Sequence, residues 1–364
     1  MSKVTESVQL KNGVTLKNPL MLAPMTTQLS FFNGIITEDE ITYYKNRSKD
    51  LGALVTGAAN VQFIGKGWPG ELGVYDDKFI PGLTKLAQAI KGEGAKAILQ
   101  IFHGGRMSTL TATEGETPVS ASAVPAERPD AVTPRALTGE EVLTVIQDFK
   151  RAAIRAIKAG FDGIEIHGAN TYLIQQFFSP HSNRREDEWG GSLEKRYHFI
   201  DVLVDEITEA VAKYAESPFI VGYRFSPEEY ETPGIRMADT LYLVDHLAEK
   251  PLDYLHVSLN EYDRLSVEKD YQEKTILAYI HQKANGRVPI VGVGGVQTQA
   301  DVEHVLENAE LSAVGRAMVY DPDWAGKVLN KQPVHRLEEI DEQVRNLRGT
   351  SLWDFVQQVR LDKE

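Results

Sequence analysis

Apolar and polar positions along the chain follow two periods, one typical of buried strands and the other of amphipathic helices. Short runs of apolar, small and β-branched residues predict strands at 19–24, 52–59, 95–102, 161–167, 219–225, 252–258, 288–293 and 311–315. Between them, apolar residues recur at every third and fourth position, as in Val142, Val145, Ile146 and Phe149. The pattern therefore predicts about eight units in which a strand is followed by a helix.

Local signals refine this pattern. Asn12-Gly13, between alternating residues, predicts an N-terminal β-hairpin, which we expect to plug one end of the main fold. Thr37 and Thr138 each precede a glutamate by three positions, so each predicts a capping box that opens a helix. Residues 109–135 are rich in Pro, Ala and Ser and have weak periodicity, which predicts a long excursion or lid after the third strand.

The predicted fold class is α/β, and the number of units is the one that a (β/α)8 TIM barrel requires. A doubly wound open sheet is the alternative architecture. The 364 residues could form two ordinary domains or one large barrel, but no change of composition divides the chain. We expect a single domain, residues 1–364. Its tail, residues 334–364, would pack on the barrel or on a neighbouring subunit through Leu352, Trp353 and Phe355.

Composition narrows the classes of function. Hydrophobic residues make up 42% of the chain and charged residues 25%, as in globular proteins. The net charge of -13 disfavours nonspecific binding to nucleic acid or to anionic membranes. The absence of cysteine rules out disulfides, iron–sulfur clusters and thiolate zinc sites. Because the N-terminus lacks a secretory pattern and no apolar run approaches ~20 residues, we expect a cytoplasmic protein.

Three polar side chains, His167, Asn170 and Tyr172, follow the apolar run of the fourth predicted strand. Ligands of parallel α/β folds lie outside the carboxyl ends of the strands, so all three would face one pocket. An imidazole, a carboxamide and a phenol donate hydrogen bonds without carrying a fixed negative charge, which suits an oxygen that gains charge. His167 and Asn170 could hold a carbonyl or nitro oxygen while Tyr172 donates a proton. The alternative is that all three serve packing and turn geometry.

Glycines at the ends of the last two strands indicate a second kind of site. Gly294 and Gly295 follow the seventh strand, and Gly315-Arg316 follows the eighth, where barrels commonly bind phosphate through backbone N–H groups. The dinucleotide pattern G-x-G-x-x-G is not completed, because Gln297 stands where its third glycine would be. Turn geometry alone would also explain such glycines.

Gln100 and Arg224 stand near the ends of the third and fifth strands, at the same mouth of the barrel. With a phosphate on one side, they suit a flat polar cofactor with a phosphate tail, such as flavin mononucleotide (FMN). A glutamine amide can recognise the donors and acceptors of the pyrimidine edge, and an arginine can stabilise negative charge on a reduced flavin. The alternative for Arg224 is a structural salt bridge.

The run from His167 to Leu173, which continues through 176–184 and 187–192, resembles the Old Yellow Enzyme family of FMN-dependent ene-reductases and NAD(P)H:flavin oxidoreductases. The resemblance extends from about Leu16 to Leu329. It implies a barrel that holds FMN at its strand ends. It further implies a ping-pong reductase that takes hydride from NADH or NADPH and reduces enones, nitro compounds or quinones, and it makes a homo-oligomer plausible.

The resemblance also implies roles for single residues. His167 and Asn170 would bind the electron-withdrawing group of the substrate, and Tyr172 would be the proton donor. The residues that match the flavin-ring contacts are Pro24, Met25, Thr26, Ala58, Gln100 and Arg224. The residues that match the phosphate cradle are Gly294, Gly295, Gly315 and Arg316.

The sequence departs from the family pattern at two positions. Thr26 stands where some bacterial members carry a cysteine that tunes the flavin, and Trp189 stands where a tyrosine is usual. Larger relatives add an iron–sulfur domain and a second nucleotide-binding domain, and we do not expect these in a short chain without cysteine. Two other functions stay open: a metal-dependent lyase or aldolase with ligands His103, His167 and His181, and a flavin-binding barrel without catalysis.

Overall fold

The computed structural model describes residues 3–335 and 352–354, in which a closed parallel barrel is surrounded by helices. The strands are β1 (Val8–Gln9), β2 (Thr15–Leu16), β3 (Leu20–Leu22), β4 (Ala53–Asn60), β5 (Leu72–Gly73), β6 (Lys96–Phe102), β7 (Val119–Ser120), β8 (Arg135–Ala136), β9 (Gly163–Gly168), β10 (Ile220–Phe225), β11 (Tyr254–Val257), β12 (Ile290–Val293) and β13 (Leu311–Val314). The helices are α1 (Glu38–Ser48), α2 (Ile80–Gly92), α3 (Gly139–Lys158), α4 (Leu173–Phe178), α5 (Leu193–Tyr214), α6 (Met237–Ala248), α7 (Ile276–Ala284), α8 (Gln299–Val305), α9 (Arg316–Tyr320) and α10 (Trp324–Leu329).

The barrel consists of β3, β4, β6, β9, β10, β11, β12 and β13, hydrogen-bonded in that order. It closes because β3 pairs in parallel with both β4 and β13, so no open edge is left between the first and last strands. This confirms the predicted (β/α)8 barrel, and the doubly wound open sheet is wrong. Since all eight strands run the same way, their carboxyl ends meet at one mouth.

The predicted hairpin is confirmed. Strands β1 and β2 pair antiparallel, with Val8 opposite Leu16. Leu10 and Leu16 pack against apolar residues of the barrel interior, and both the backbone N–H and the side-chain amide of Asn12 donate to Asp253, which precedes β11. The hairpin therefore covers the end of the barrel opposite the mouth.

The two predicted capping boxes have different outcomes. At α3 the box is complete, because the Thr138 hydroxyl and the Glu141 carboxylate each accept a backbone N–H of the other residue. At α1 the Thr37 hydroxyl accepts the Glu40 N–H at 3.2 Å, but the reciprocal half is absent. The Glu40 carboxylate turns inward, accepts the Thr27 hydroxyl at 2.5 Å and also accepts the hydroxyl of Ser30. The predicted capping box at Thr37 is therefore wrong in its second half.

The excursion 109–135 follows β6, as predicted, and packs on the barrel. The Arg106 guanidinium donates to the carbonyls of Val124 and Pro125, and Ala121 is fully buried. In the tail, Leu352 and Trp353 pack on the main hydrophobic core, whereas Phe355 lies outside the described residues. None of the helices in the described ranges combines the length and apolar character needed to cross a membrane.

Candidate active site

A cavity of about 510 Å³ opens at the mouth of the barrel. The predicted site residues that line it are Pro24, Met25, Thr26, Ala58, Gln100, His167, Asn170, Tyr172, Arg224 and Arg316. They come from strand ends far apart in sequence, which meet because parallel barrel strands all end at the same face. Gly294, Gly295 and Gly315 are not among the residues that line it.

His167 lies on β9 directly beside Arg224 of β10. Its Nδ1 accepts the backbone N–H of Ala169 at 3.3 Å. Burial, reinforced by the positive charge of Arg224, lowers the pKa of His167 well below its usual range, so the ring is neutral. Because a neutral imidazole has one N–H and Nδ1 is an acceptor, Nε2 carries the proton and can donate to a ligand.

Asn170 presents its amide group in a defined orientation. Its Oδ1 accepts the hydroxyl of Ser258 at 2.8 Å, and the same hydroxyl oxygen accepts Nη2 of Arg224 at 3.0 Å. Since the serine oxygen is occupied by the arginine donor, its own proton points to Asn170. The Asn170 NH2 group is therefore left for the cavity, where it is a second N–H donor near His167.

The turn after β9 has an unusual backbone. Asn170 and Thr171 have φ of 56° and 63°, in the left-handed region that a β-branched residue such as threonine rarely adopts. Two glutamines of α4 hold this turn: Gln175 Oε1 accepts the Thr171 N–H at 2.9 Å, and Gln176 Nε2 donates to the Thr171 carbonyl at 2.6 Å. Strained backbone of this kind persists where its surroundings fix it, which is common at functional sites. The turn brings Tyr172 back over the strand end.

The Tyr172 ring is packed edge-on against Phe102, His167 and Trp68, at centroid distances of 4.8, 5.0 and 5.8 Å. Burial raises the pKa of its phenol well above the ordinary value. The phenol is therefore protonated at neutral pH. A neutral phenol at the cavity wall can act as a proton donor.

The floor of the cavity contains Gln100 and Arg224. Gln100 Nε2 donates to the buried carboxylate of Glu165 at 2.7 Å. Arg224 is 8% exposed, and its Nε is buried without a hydrogen-bond partner among the described residues. A buried guanidinium N–H without an acceptor is costly, so this atom indicates that a ligand acceptor completes the site.

The opposite wall is formed by the segment after β3 and by β4. Pro24, Met25 and Thr26 follow the end of β3 and line the cavity. The pairing of β4 with β6 shifts register between Val55 and Ala58. Ala58 lies at the end of this irregular stretch and lines the cavity. These side chains are small or apolar, which suits a flat ring.

Close packing against neighbouring segments accounts for two of the glycines that were predicted as a phosphate cradle. Gly294 has φ of +124°, and a Cβ there would lie 2.7 Å from the Glu261 nitrogen and the Leu259 oxygen. Only glycine therefore allows this close approach to the segment after β11. A Cβ at Gly315 would be 3.2 Å from Sδ of Met25, and Arg316, the first residue of α9, lines the cavity. The phosphate cradle stays a prediction.

Sequence reasoning missed four lining residues: Thr27, Gln28, Trp68 and Leu352. Thr27 and Gln28 directly follow the predicted site residue Thr26, so their place in the sequence could have identified them. Nothing in the pattern places Trp68 or Leu352 at the barrel mouth, because they lie outside the predicted strand ends. Trp189, the second departure from the family pattern, is buried in the core and does not line the cavity.

The metal-dependent alternative lacks an assembled ligand set. Among residues 3–335 and 352–354, no three His, Cys, Asp or Glu side chains come together in a way that could hold a metal ion. His103 Nε2 lies 3.1 Å from the Gln62 side-chain oxygen, and His181 Nε2 lies 3.7 Å from a carboxylate oxygen of Glu127. The site that would use His103, His167 and His181 is therefore not formed.

The chain is similar to several known proteins in sequence and in fold. Residues 4–334 match the model of the NADH:flavin oxidoreductase / NADH oxidase family. The chain is 44% identical over 366 residues to a Vibrio harveyi protein named NADH:acrylate oxidoreductase, covering 100% of this chain but only 36% of that protein. It is also 44% identical over 324 residues to the probable NADH-dependent flavin oxidoreductase YqiG of Bacillus subtilis, covering 89% of this chain and 87% of the relative.

The chain thus spans about a third of the length of the Vibrio harveyi relative and most of the length of the Bacillus subtilis one. Among solved structures, morphinone reductase superposes with a TM-score of 0.78 at 26% sequence identity, over 92% of this chain and 91% of that one.

Proposed function

The chain belongs to the NADH:flavin oxidoreductase / NADH oxidase family, the Old Yellow Enzyme family that its sequence resembles, and we propose that it is an FMN-dependent reductase. Its proposed electron donor is NADH or NADPH. Its proposed acceptors are activated alkenes, with an α,β-unsaturated carbonyl or nitro group, and quinones. Residues 1–364 would act as one FMN-binding barrel domain.

The residues at the barrel mouth fit FMN. The buried Nε of Arg224 has no hydrogen-bond partner within residues 3–335 and 352–354, and an acceptor such as the carbonyl or ring nitrogen of a flavin would satisfy it. Gln100 supplies an amide beside it, and Pro24, Met25 and Ala58 supply a small and apolar wall. Arg316 provides a positive charge at the same mouth, which suits a phosphate, in a chain whose net charge is -13. Gln100 and Arg224 would hold the pyrimidine end, and Arg316 the phosphate.

The chemistry that FMN would supply when bound is hydride transfer, from the nicotinamide to the β-carbon of the alkene. His167 Nε2–H and the Asn170 NH2 group would donate to the carbonyl or nitro oxygen of the substrate. As negative charge develops on that oxygen, both hydrogen bonds strengthen, and loss of one such donor typically costs about 3 kcal/mol of transition-state stabilisation.

Tyr172 would complete the addition by protonating the α-carbon. One hydride and one proton then saturate the double bond, and the tyrosine recovers its proton from water. The neutral phenol suits this role because its proton is available at neutral pH, while the neighbouring His167 stays uncharged.

The observation that carries this proposal is the pair of N–H donors, from His167 and Asn170, beside the phenol of Tyr172 at one wall of the cavity. Steady-state kinetics with NADH or NADPH and 2-cyclohexenone test it. Parallel double-reciprocal lines, as in a ping-pong mechanism, are expected. A yellow protein that turns over neither nicotinamide would instead be the flavin-binding barrel without catalysis.

A further inference from the structure

The carboxylate of Glu165 lies in the barrel interior below the cavity. It precedes His167 by two residues on β9, so both side chains point to the interior of the barrel, and its exposure is 0%. A charge in this position is costly unless its oxygens are well hydrogen-bonded. The side chains that donate to Glu165 therefore indicate its role.

Three side chains donate to Glu165. Oε1 accepts Nε2 of Gln100 at 2.7 Å, and Oε2 accepts the hydroxyl of Tyr254 at 3.0 Å and Nδ1 of His256 at 2.9 Å. Burial raises the pKa of Glu165, but the hydrogen bonds from His256 and Gln100 and the positive charge of Arg224 outweigh it, and the net shift is downward. Glu165 is therefore ionised and acts only as an acceptor.

The barrel leaves room for these contacts at Gly222 of β10. Gly222 is paired with Glu165 on one side and with Tyr254 on the other. A Cβ at Gly222 would lie 2.1 Å from the Tyr254 ring. Since glycine has no side chain, the ring of Tyr254 can reach across β10 to the carboxylate.

The contact with Glu165 fixes the amide of Gln100. Because the NH2 group points to the carboxylate, the amide oxygen is the group left for the cavity that Gln100 lines. A flipped amide would place its oxygen against an ionised carboxylate oxygen, which is repulsive. Glu165 thus determines whether this part of the cavity floor offers an acceptor or a donor.

We infer, resting on the proposed FMN function, that Glu165 is a positioning residue that acts through Gln100 on the cofactor. It makes the floor offer a hydrogen-bond acceptor to the N–H of the flavin pyrimidine ring. Its negative charge also partly offsets the charge of Arg224 at the same end of the ring, and so helps to set the reduction potential of the flavin.

A double-mutant cycle tests the action through Gln100. The dissociation constant of FMN is measured by quenching of flavin fluorescence for the wild type, Glu165→Gln, Gln100→Ala and the double variant. Glu165→Gln should weaken FMN binding about tenfold when Gln100 is present, as for a lost charge-assisted hydrogen bond, and about twofold or less in the Gln100→Ala background. Equal factors in both backgrounds would overturn the inference.

The midpoint potential of bound FMN is the readout that a merely structural role would not move. Glu165→Gln should shift it to a more positive value, because removal of a negative charge stabilises the reduced, more negative ring. Tyr254→Phe, which changes no charge, should leave it in place. A Glu165→Gln protein with the wild-type potential would contradict the inference.

Tyr254→Phe also covers the case in which Glu165→Gln does not fold, since it removes one hydrogen bond to the carboxylate and keeps the ring. It should weaken FMN binding about two- to threefold with Gln100 present, and equal weakening in the Gln100→Ala protein would overturn the inference. A wild type that binds no FMN would remove the proposed function and the inference together. FMN binding with independent effects in the cycle would remove the inference alone.

Discussion

The hydroxyl of Ser258 donates to Oδ1 of Asn170 at 2.8 Å while its oxygen accepts Nη2 of Arg224 at 3.0 Å. This relation orients the Asn170 amide with its NH2 group toward the cavity, beside the Nε2–H of His167. The two N–H donors are therefore oriented before any ligand binds. An oxyanion site preorganised in this way needs no rearrangement during the reaction.

Asn170→Asp should abolish this donor, because a carboxylate can only accept. We expect weaker binding of phenols such as p-hydroxybenzaldehyde and slower enone reduction, each by about a hundredfold, and a similar loss in His167→Ala. Ser258→Ala, which removes only the orienting hydroxyl, should cost about tenfold or less. Difference spectra of the bound flavin and enone kinetics give these values. Unchanged rates in both Asn170→Asp and His167→Ala would count against the site.

Tyr172→Phe should separate two classes of acceptor. Quinones take electrons without protonation of a carbon atom, so their reduction should proceed at nearly the wild-type rate, whereas that of 2-cyclohexenone should fall by about a hundredfold or more. The thermal unfolding temperature is the control. It should stay at the wild-type value, because the phenylalanine ring keeps the edge-on packing against Phe102 and Trp68. Equal losses for both acceptors would mean that the tyrosine is structural.

Glu40 predicts a pH-dependent stability. Burial raises its pKa to about 7 from an unfolded value of 4.5. Between these values the folded protein keeps a proton that the unfolded chain has lost. The free energy of unfolding should therefore fall as pH rises through this window, by about 3 kcal/mol at most.

Denaturant titrations between pH 5 and pH 8 measure this effect. Glu40→Gln should remove that part of the slope, whereas Glu38→Gln, at an exposed side chain of the same helix, should leave it unchanged. A slope in Glu40→Gln equal to that of the wild type would show that another group is responsible.

Gly222→Ala should destabilise the barrel, since its Cβ would collide with the Tyr254 ring at 2.1 Å. We expect a loss of about 2 kcal/mol or more, as for other overpacked cores. Gly92→Ala is the matched control, because a Cβ at this position at the end of α2 meets nothing within 4 Å. Thermal or denaturant unfolding compares the two, and equal stabilities would mean that Tyr254 moves aside freely.

The sequence predicted the barrel well because its signals are local. Each strand is a short apolar run with polar residues at its carboxyl end, and parallel strands bring those ends to one mouth. His167, Gln100 and Arg224 were found in this way, and all three line one cavity. Their roles toward a cofactor and a substrate stay predictions that the experiments above test.

What the sequence did not predict depends on contacts between distant segments. The glutamate of the expected capping box at Thr37 turns instead to hydroxyls of the segment after β3, a contact that no spacing rule contains. Leu352 reaches the cavity from the tail, where the pattern gives no register relative to the barrel. The charged residue within an apolar strand, Glu165, was a visible signal, but its meaning depends on Gln100, Tyr254 and His256.

Anaerobic titration of the purified protein, followed by visible spectroscopy, tests the central claim most directly. A protein that copurifies with FMN or takes it up should be yellow. Its flavin absorption should bleach on addition of NADH or NADPH and return on addition of 2-cyclohexenone. A protein that binds no FMN, or a yellow protein that neither nicotinamide bleaches, would contradict the account.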